Sequence, residues 1–397
     1  MRASRISIGL FFLADGLLIG SWAGRIPAVQ HHASLTNARL GVALFAASLG
    51  ALVAMPVAGR LCERIGSRRV TLPGLLLGSG SLVAASLATG LSGLAAALFG
   101  FGAAFGSVNV SANAQGLALE RLSGRPILSS FHAAFSAGGL IGAGLAALAA
   151  GAGLEPRVHF AVLATALTAI GLGAVKFLLP PDADDAAKGP ALARPPQAII
   201  VLGAAAFCTM LAEGAAVDWS AVYLSHSFGA AAGIAALAYT AFSLAMTASR
   251  TIGDRLNRRL GPVTLARSGA VVATVGLGLA LALGSVPVAI AGFAAMGAGL
   301  GVVVPVLFRA AASTATISAS VGVAAVSMIG WFGFLAGPPA IGFAASAVGL
   351  RAALGIVVLA TLTLAALAGS ARPSRRNAGA PSVCRDPSPV CSAARIS

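Results

Sequence analysis

The chain has few charged residues. Asp, Glu, Lys and Arg make up only 9% of its 397 residues, against roughly 25% in an ordinary soluble domain. Hydrophobic residues make up 58%. A soluble protein needs polar side chains over its surface, whereas a chain in lipid can present apolar side chains outward. The scarcity of charge therefore excludes an ordinary soluble domain and indicates an integral membrane protein.

The sequence also lacks the patterns that mark metal sites, disulfide frameworks and enzymes. Its four cysteines form no C-x-x-C pair and have no histidine cluster near them. No nucleophile motif and no Gly-rich phosphate loop occurs. We therefore expect no metal, no cofactor and no enzymatic activity.

Acidic residues are scarcer than basic ones, with 11 Asp and Glu against 26 Lys and Arg, which gives a net charge of +15. In a soluble protein this excess would suggest a nucleic-acid partner. In a polytopic membrane protein, basic residues are concentrated in the cytoplasmic loops and fix the topology. The position of each Lys and Arg decides between the two interpretations.

Apolar stretches long enough to cross a bilayer, about 20 residues each, recur along the chain. Cutting at charged and turn-forming clusters predicts spans at 6–25, 38–59, 70–88, 92–119, 127–151, 158–179, 198–222, 230–252, 263–284, 286–308, 317–345 and 349–369. Residues 180–197 are polar and Pro-rich, which predicts a central linker. The predicted fold is all-α, with six-helix bundles at 1–179 and 198–370 and a disordered tail at 371–397.

The basic residues test this partition, because they were not used to draw it. With twelve spans, 22 of the 26 Lys and Arg fall on the side that holds both termini, Arg250 among them. The other side has Arg25, Arg39, Arg157 and Arg351. The asymmetry supports cytoplasmic termini and removes the need for a nucleic-acid partner.

The two halves resemble each other where polar residues interrupt apolar spans. The first span contains Ala14-Asp15-Gly16 followed by Ser21-Trp22-Ala23. The seventh contains Ala212-Glu213-Gly214 followed by Trp219-Ser220-Ala221. A duplicated six-helix unit predicts such a repeat.

The loop after the second span carries a glycine and arginine motif, and a partial copy follows the eighth span. The motif residues are Gly59, Glu63, Arg64, Gly66, Arg68 and Arg69, and the copy has Gly253, Asp254, Arg255, Arg258, Arg259 and Gly261. The spacing resembles the major facilitator superfamily signature G-x-x-x-D-R-x-G-x-R-R, with Glu63 in place of Asp. The resemblance implies a transporter fold over the whole chain.

Two roles are open for this motif. Its glycines permit close helix approach and a tight turn, and its acid and arginines could pair at the cytoplasmic gate, stabilising the outward-facing state. Alternatively, the arginines act only as topology signals. We expect gating for Glu63 and Arg64, and leave both roles open for Arg68 and Arg69.

Three acidic residues lie within predicted spans. A charge at the bilayer centre costs at least about 2.5–3.5 kcal/mol and commonly marks a transport pathway. Asp15 and Glu213 are near the middle of equivalent spans and are expected to line a central cavity, where either could carry a proton; Asp218 is expected nearer the outer mouth. The alternative is a neutral acid hydrogen-bonded between helices.

Further polar and aromatic residues have a functional and a structural interpretation. Asn109 and Asn113, one turn apart in the fourth span, could bind a polar substrate or join helices. His132 is a possible titrating group, although a lone His near a helix end is more often structural. Trp22 and Trp219, near predicted span ends, are expected to be interfacial anchors, with stacking on a sugar ring as the alternative; Trp331 could do either.

More local motifs resemble the fucose-permease-like branch of bacterial facilitators. They are Ser21 to Pro27, Glu213 to Ser220, and Gly333 to Pro339. This resemblance implies proton-coupled import of a small polar, sugar-like solute by a multi-pass protein of the bacterial inner membrane, expected to be monomeric. Proton-driven efflux of amphipathic compounds is the alternative.

Overall fold

In the computed structural model, the described residues are 1–124, 127–180, 196–314 and 319–371. Almost all of the predicted linker, 180–197, and of the predicted tail, 371–397, lies outside them. The described residues contain twelve helical segments that are long and apolar enough to cross a membrane, which confirms the predicted all-α fold.

The helices are α1 (Arg2–His32), α2 (Asn37–Ile65), α3 (Ser67–Leu87), α4 (Leu91–Ser123), α5 (Leu128–Gly151), α6 (Pro156–Ala174), α7 (Gln197–Phe228), α8 (Ala232–Leu260), α9 (Pro262–Leu283), α10 (Val286–Leu300), α11 (Val303–Ala312), α12 (Ala319–Val348), α13 (Leu350–Ala353) and α14 (Gly355–Leu367). Two spans are interrupted, since α10 with α11 and α13 with α14 each form one crossing.

Local sequence explains where many helices begin and end. The side chain of Thr36 accepts a hydrogen bond from the backbone N–H of Arg39 and caps α2. Proline occupies the first turn of α6 and α9, where its missing N–H costs nothing. Gly124 and Gly229 have left-handed backbone conformations and end α4 and α7.

Several helices are longer than the predicted spans. Helix α1 extends to His32 rather than residue 25, α7 to Phe228 rather than 222, and α8 to Leu260 rather than 252. The tenth predicted span, 286–308, is interrupted between α10 and α11 at Gly301 and Val302. The polar residues at which the spans were cut are therefore still helical.

The helix order defines two ends of the bundle. We call the end with Arg2 and Ala371 the terminal face and the other end the opposite face. Helices α1, α5 and α7 run from the terminal to the opposite face, and α2, α4 and α8 run back.

The helix pairing repeats between the first six and the last six spans. Helix α1 packs on α5, α2 on α4, and α3 on α6; in the same positions, α7 packs on α12, α8 on α10, and α9 on α14. Contacts between the two halves follow the same symmetry, with α2 on α12 and α5 on α8. The structure is thus a duplicated six-helix unit.

Glycine allows the paired helices to approach closely. A Cβ atom added to Gly20 of α1 would lie 2.7 Å from the backbone N of Ala143 in α5, and one on Gly142 would lie 3.0 Å from Ser21 N. In the second half, a Cβ on Gly333 of α12 would lie 2.8 Å from Leu211 N in α7. Small residues replace the hydrophobic effect as the means of association within lipid.

The motif glycines have different roles. Gly66 has a φ of 86° between α2 and α3, and Gly261 has a φ of 77° at the equivalent turn between α8 and α9. Only glycine adopts this conformation without strain. A Cβ on Gly59 would meet nothing within 4 Å, so the expectation of a close helix approach at this glycine was wrong.

The halves are closed against each other at the opposite face. A Cβ on Gly342 of α12 would lie 3.0 Å from Cα of Gly41 in α2, and the N–H of Ala38 donates to the Ser346 hydroxyl at 3.2 Å. From this face, the described polar contacts between the halves extend slightly past the middle of the bundle. They include Ser48 with Phe334, and the one nearest the terminal face joins Arg250 to Ser136. The solute path is therefore blocked at the opposite face.

The α1–α5 interface can be tested with matched alanine substitutions. Gly20→Ala places a methyl group against the α5 backbone, and such overpacking typically costs ~1–3 kcal/mol, so the melting temperature of the purified protein is expected to fall by several degrees. Gly144→Ala, also in a transmembrane helix, is the control, because its Cβ meets nothing within 4 Å. Equal melting temperatures for the two variants would contradict the packing described.

Closure at the opposite face can be tested by cross-linking. In a variant without the native cysteines, Ala38→Cys with Ser346→Cys is expected to form a disulfide under mild oxidation, because the Ser346 hydroxyl lies 3.2 Å from the Ala38 backbone N and disulfides join residues whose Cα atoms are within about 7 Å. A protease site inserted between residues 181 and 195 separates the halves, which then migrate together on a denaturing gel only if the disulfide has formed. Gly144→Cys with Ser346→Cys should not cross-link. Failure of the first pair would show that this face is open.

Candidate functional site

A cavity of about 310 Å³ lies between the two halves. Its walls come from α1, α2, α4 and α5 of the first half and from α7, α8 and α12 of the second. Because the opposite face is closed, a solute can reach this cavity only from the terminal face.

The cavity contains an ion pair in the middle of the bundle. The guanidinium Nη2 of Arg250 in α8 lies 3.7 Å from Oε1 of Glu213 in α7. The exposed fractions of these side chains are 34% and 15%. Two unit charges about 4 Å apart attract by about 4 kcal/mol at an effective dielectric constant of 20, before screening by water in the cavity. The attraction offsets the cost of placing either charge within the membrane.

The same arginine connects the halves. Its Nη1 donates a hydrogen bond to the hydroxyl of Ser136 in α5 at 3.2 Å. Oε1 of Glu213 has no hydrogen-bond partner among the described residues, so its contact with Arg250 depends on charge alone. Arg250 is thus held by a carboxylate of its own half and a hydroxyl of the other.

Asp218 also lines the cavity, five residues after Glu213 in α7. At 1.5 Å per residue it lies about 7 Å closer to the closed opposite face. Within the described part of the chain, its carboxylate has neither a hydrogen bond nor an ion pair. Sequence spacing left open whether Glu213 and Asp218 share a site, and the structure places both on one cavity.

Aromatic side chains form much of the wall. The lining includes Trp22, Phe101, Phe105, Phe135, Tyr239, Phe242, Trp331 and Phe334. Rings from the two halves meet where Phe105 and Trp331 lie 6.0 Å apart between centroids. The cavity therefore offers flat apolar surfaces around a few charges.

Hydroxyl groups are few, and several already have partners. Ser48 donates to the Phe334 carbonyl at 2.9 Å, and Thr247 donates to the Ser243 carbonyl at 2.8 Å. Ser136 donates to the His132 carbonyl at 3.1 Å while accepting from Arg250. Few hydroxyl groups of the lining are therefore left to bind a neutral polar solute.

Asp15 does not line this cavity. It is 5% exposed and lies on α1 between Phe11 and Leu18 of the same helical face. A Cβ on Gly171 of α6 would touch Phe11, and one on Gly78 of α3 would touch Leu18. Asp15 therefore faces the interior of the first half, without a hydrogen bond or ion pair in the described residues.

Asn109, Asn113 and His132 are also absent from the cavity lining among the described residues. The Asn113 amide donates to the Asn109 carbonyl at 2.7 Å within α4. His132 is exposed near the terminal end of α5 and packs edge-to-face on Phe12, with ring centroids 5.3 Å apart. The structure thus places none of these three residues on the cavity wall, although His132 lies close enough to Arg250 for their charges to interact.

The expectation of interfacial anchors was wrong for two tryptophans. Trp219 is 0% exposed and Trp22 is 3% exposed, with Trp22 lining the cavity. Both lie nine or ten residues inside the true ends of α7 and α1. A tryptophan at the lipid interface would present its ring outward.

The motif residues lie at the terminal face, far from the cavity. Glu63, Arg64 and Arg69 are exposed and Arg68 is half-buried. None of these four makes an ion pair within the described ranges. In the second copy, Gly253 and Arg255 belong to the last turns of α8, and the side chain of Asp254 lies outside what the structure describes.

Arg250 is a cavity residue that sequence reasoning misplaced. It was assigned to a cytoplasmic loop, but it lies ten residues before the end of α8. The signal was present, since an acidic residue in mid-membrane commonly pairs with a basic one. Tyr239, in the same helix, was missed because it stands in an apolar run.

Relatives of the chain are transporters and membrane proteins of similar length. It is 35% identical over 366 residues to an uncharacterised MFS-type transporter of Yersinia pestis, covering 92% of this chain and 95% of that protein. An uncharacterised transporter of Sinorhizobium fredii is 37% identical, with 90% and 95% covered. Membrane protein MosC of Rhizobium meliloti is 33% identical, with 89% and 86% covered.

Solved transporter structures share the fold. A mutant form of the nucleoside transporter NupG superposes with a TM-score of 0.75 at 12% identity, covering 92% of this chain and 99% of that one. A bacterial homologue of the human lysosomal transporter Spinster, inward-facing and unoccupied, has a TM-score of 0.73 at 16% identity, with 93% and 96% covered. These fold relatives are not enzymes.

The sequence profile of the family agrees with both comparisons, since residues 6–201 match that of the Major Facilitator Superfamily. With full-length transporter relatives above 30% identity and twelve membrane-spanning segments, the chain belongs to the major facilitator superfamily and is a multi-pass membrane transporter.

Proposed function

We propose that this protein moves a small solute across the bacterial inner membrane by alternating access, coupled to protons. The observation that supports this most directly is the Glu213–Arg250 pair, a titratable contact inside a cavity that is closed on one side. Expected partners are the solute, protons and the lipid bilayer, and we expect a monomer.

Protonation of Glu213 provides the coupling step. As a carboxylate, Glu213 attracts Arg250, which also binds Ser136 of the other half. A proton from the side to which the cavity is open neutralises Glu213 and removes that attraction. Arg250 then moves relative to Ser136, the halves rearrange, and the proton leaves to the other side when the pair forms again.

Asp15 is a second proposed proton site. It lies inside the first half rather than in the cavity, so its protonation would act on the packing of α1 against α3 and α6. Asn109, Asn113 and His132 remain candidates only for a state in which the helices have rearranged.

The motif at the terminal face is proposed to act as a gate. Glu63 and Arg64 are exposed while the opposite face is closed. In the alternate state, closure at the terminal face would bring these charges to partners on the other half or at helix ends. The concentration of Lys and Arg on this face supports a cytoplasmic location for both termini.

Two directions of transport have support. The resemblance to the fucose-permease-like branch favours import of a small polar, sugar-like solute. The aromatic lining and the few unengaged hydroxyls favour efflux of an amphipathic compound instead. Proteoliposomes under pH gradients of either sign distinguish the two. A proton symporter accumulates solute in vesicles that are more acidic outside, and a proton antiporter accumulates it in vesicles that are more acidic inside.

Proton coupling through Glu213 can be tested with a transported solute, chosen from a panel by thermal stabilisation of the purified protein. Glu213→Gln is expected to lose accumulation driven by a pH gradient, because it cannot exchange a proton, but to retain solute exchange at equal pH. Asp15→Asn is measured in parallel, with a similar loss expected if it carries the proton.

Glu155→Gln is the control, since it removes an exposed acid at the opposite face that does not line the cavity. If Glu213→Gln and Asp15→Asn both accumulated solute as the unaltered protein does, proton coupling through these carboxylates would be wrong. Loss of exchange as well as accumulation in Glu213→Gln would indicate that Glu213 binds the solute rather than the proton.

A further inference from the structure

When both of its carboxyl groups are ionised, the cavity holds one more negative charge than positive charge. Its described lining has two carboxylates, Glu213 and Asp218, and one guanidinium, Arg250, which contacts Glu213. Asp218 remains without a hydrogen bond or ion pair among the described residues. A carboxylate accepts hydrogen bonds but donates none when ionised, so a partner for Asp218 must be a donor.

The surroundings of Asp218 also favour a positive partner. Asp218, Trp22 and Phe101 each lie about ten residues from the opposite-face end of their helices, in α7, α1 and α4, so they form one layer of the cavity. Trp22 and Phe101 contact each other, with ring centroids 6.3 Å apart. The faces of aromatic rings carry negative potential and attract cations.

Tyr239 and Phe242 continue this aromatic surface on α8. Their rings stack with centroids 5.9 Å apart, and both line the cavity. Near Asp218 the cavity therefore combines an acceptor without a partner, four aromatic rings and a closed end. Arg250, the only cation in the described lining, lies on the other side of Glu213, toward the terminal face.

An anionic solute would be repelled by Asp218, and a neutral polyol would find few unengaged hydroxyls. We propose that the transported solute is an organic ammonium ion with an apolar body, its ammonium group bound by Asp218 and its body held between the aromatic rings. This inference rests on the proposed transport function, and it specifies the charge of the solute independently of the direction.

Three probes that share a phenyl ring on a short chain and differ in charge test the proposal on the purified protein in detergent. They are 2-phenylethylammonium, 2-phenylethanol and 3-phenylpropionate. We expect the ammonium probe to bind at least about tenfold more tightly than the alcohol, and the carboxylate to bind most weakly, as measured by tryptophan fluorescence and thermal stabilisation at neutral pH. Trp22 and Trp331 in the cavity wall provide the fluorescence signal.

Asp218→Asn is expected to reduce the affinity for the ammonium probe to that for the alcohol, while leaving the affinity for the alcohol unchanged. Glu155→Gln, at an exposed acid outside the cavity lining, is the matched control and should change neither. The comparison of probes on the unaltered protein needs no variant, so it holds even if Asp218→Asn fails to fold.

Equal affinities for the three probes, tighter binding of the carboxylate, or no binding of the ammonium probe would overturn the inference. Its failure is distinct from failure of the proposed function, because binding requires no gradient. Accumulation without charge preference would refute only the ammonium proposal. Charge preference together with full accumulation by Glu213→Gln and Asp15→Asn would refute only the coupling proposal.

Discussion

A charge inside a bilayer must have a partner of opposite charge, be neutralised by gaining or losing a proton, or reach water. Among the described residues inside the membrane, such a pairing occurs between Glu213 of α7 and Arg250 of α8. The pair is separated by 3.7 Å, without a hydrogen bond to the facing carboxylate oxygen. Under the mechanism that we propose, such a contact keeps both charges in the cavity until one proton opens it.

The packing of the two halves determines how a change at this contact affects the rest of the protein. Glycine-lined pairs such as α1 with α5 and α7 with α12 make each half a closely packed unit. Packed units of this kind shift as bodies rather than deform continuously. Because Arg250 also reaches Ser136 across the cavity, a local change of charge acts on the contact between the two units.

Much of the fold could be predicted from sequence, because it depends on the length of apolar stretches, on repeated residues and on the positions of glycines. Apolar length predicted twelve spans, and the recurrence of acid and tryptophan in the first and seventh spans predicted the duplication. The turn at Gly66 required a glycine, and the equivalent Gly261 has the same positive φ. These features follow from local composition and backbone sterics.

The errors in the site have one physical cause. Spans were ended at the first polar residues, but helices α1, α7 and α8 continue for six to eight residues beyond those positions. Three residues near the predicted span ends therefore lie well within their helices: Trp22, Trp219 and Arg250. The burial of Asp15 within the first half depends on which face of α1 meets α3 and α6, and hydropathy carries no information about that.

The central claim is that Glu213 and Arg250 act as a pair. A double-mutant cycle with Glu213→Gln, Arg250→Gln and the double variant tests it through the thermal stability of the purified protein. If the pair exists, each single variant leaves one charge without a partner, and the double variant should be no less stable than the worse of the two. Strictly additive losses would show that the two charges do not interact, and would contradict the account.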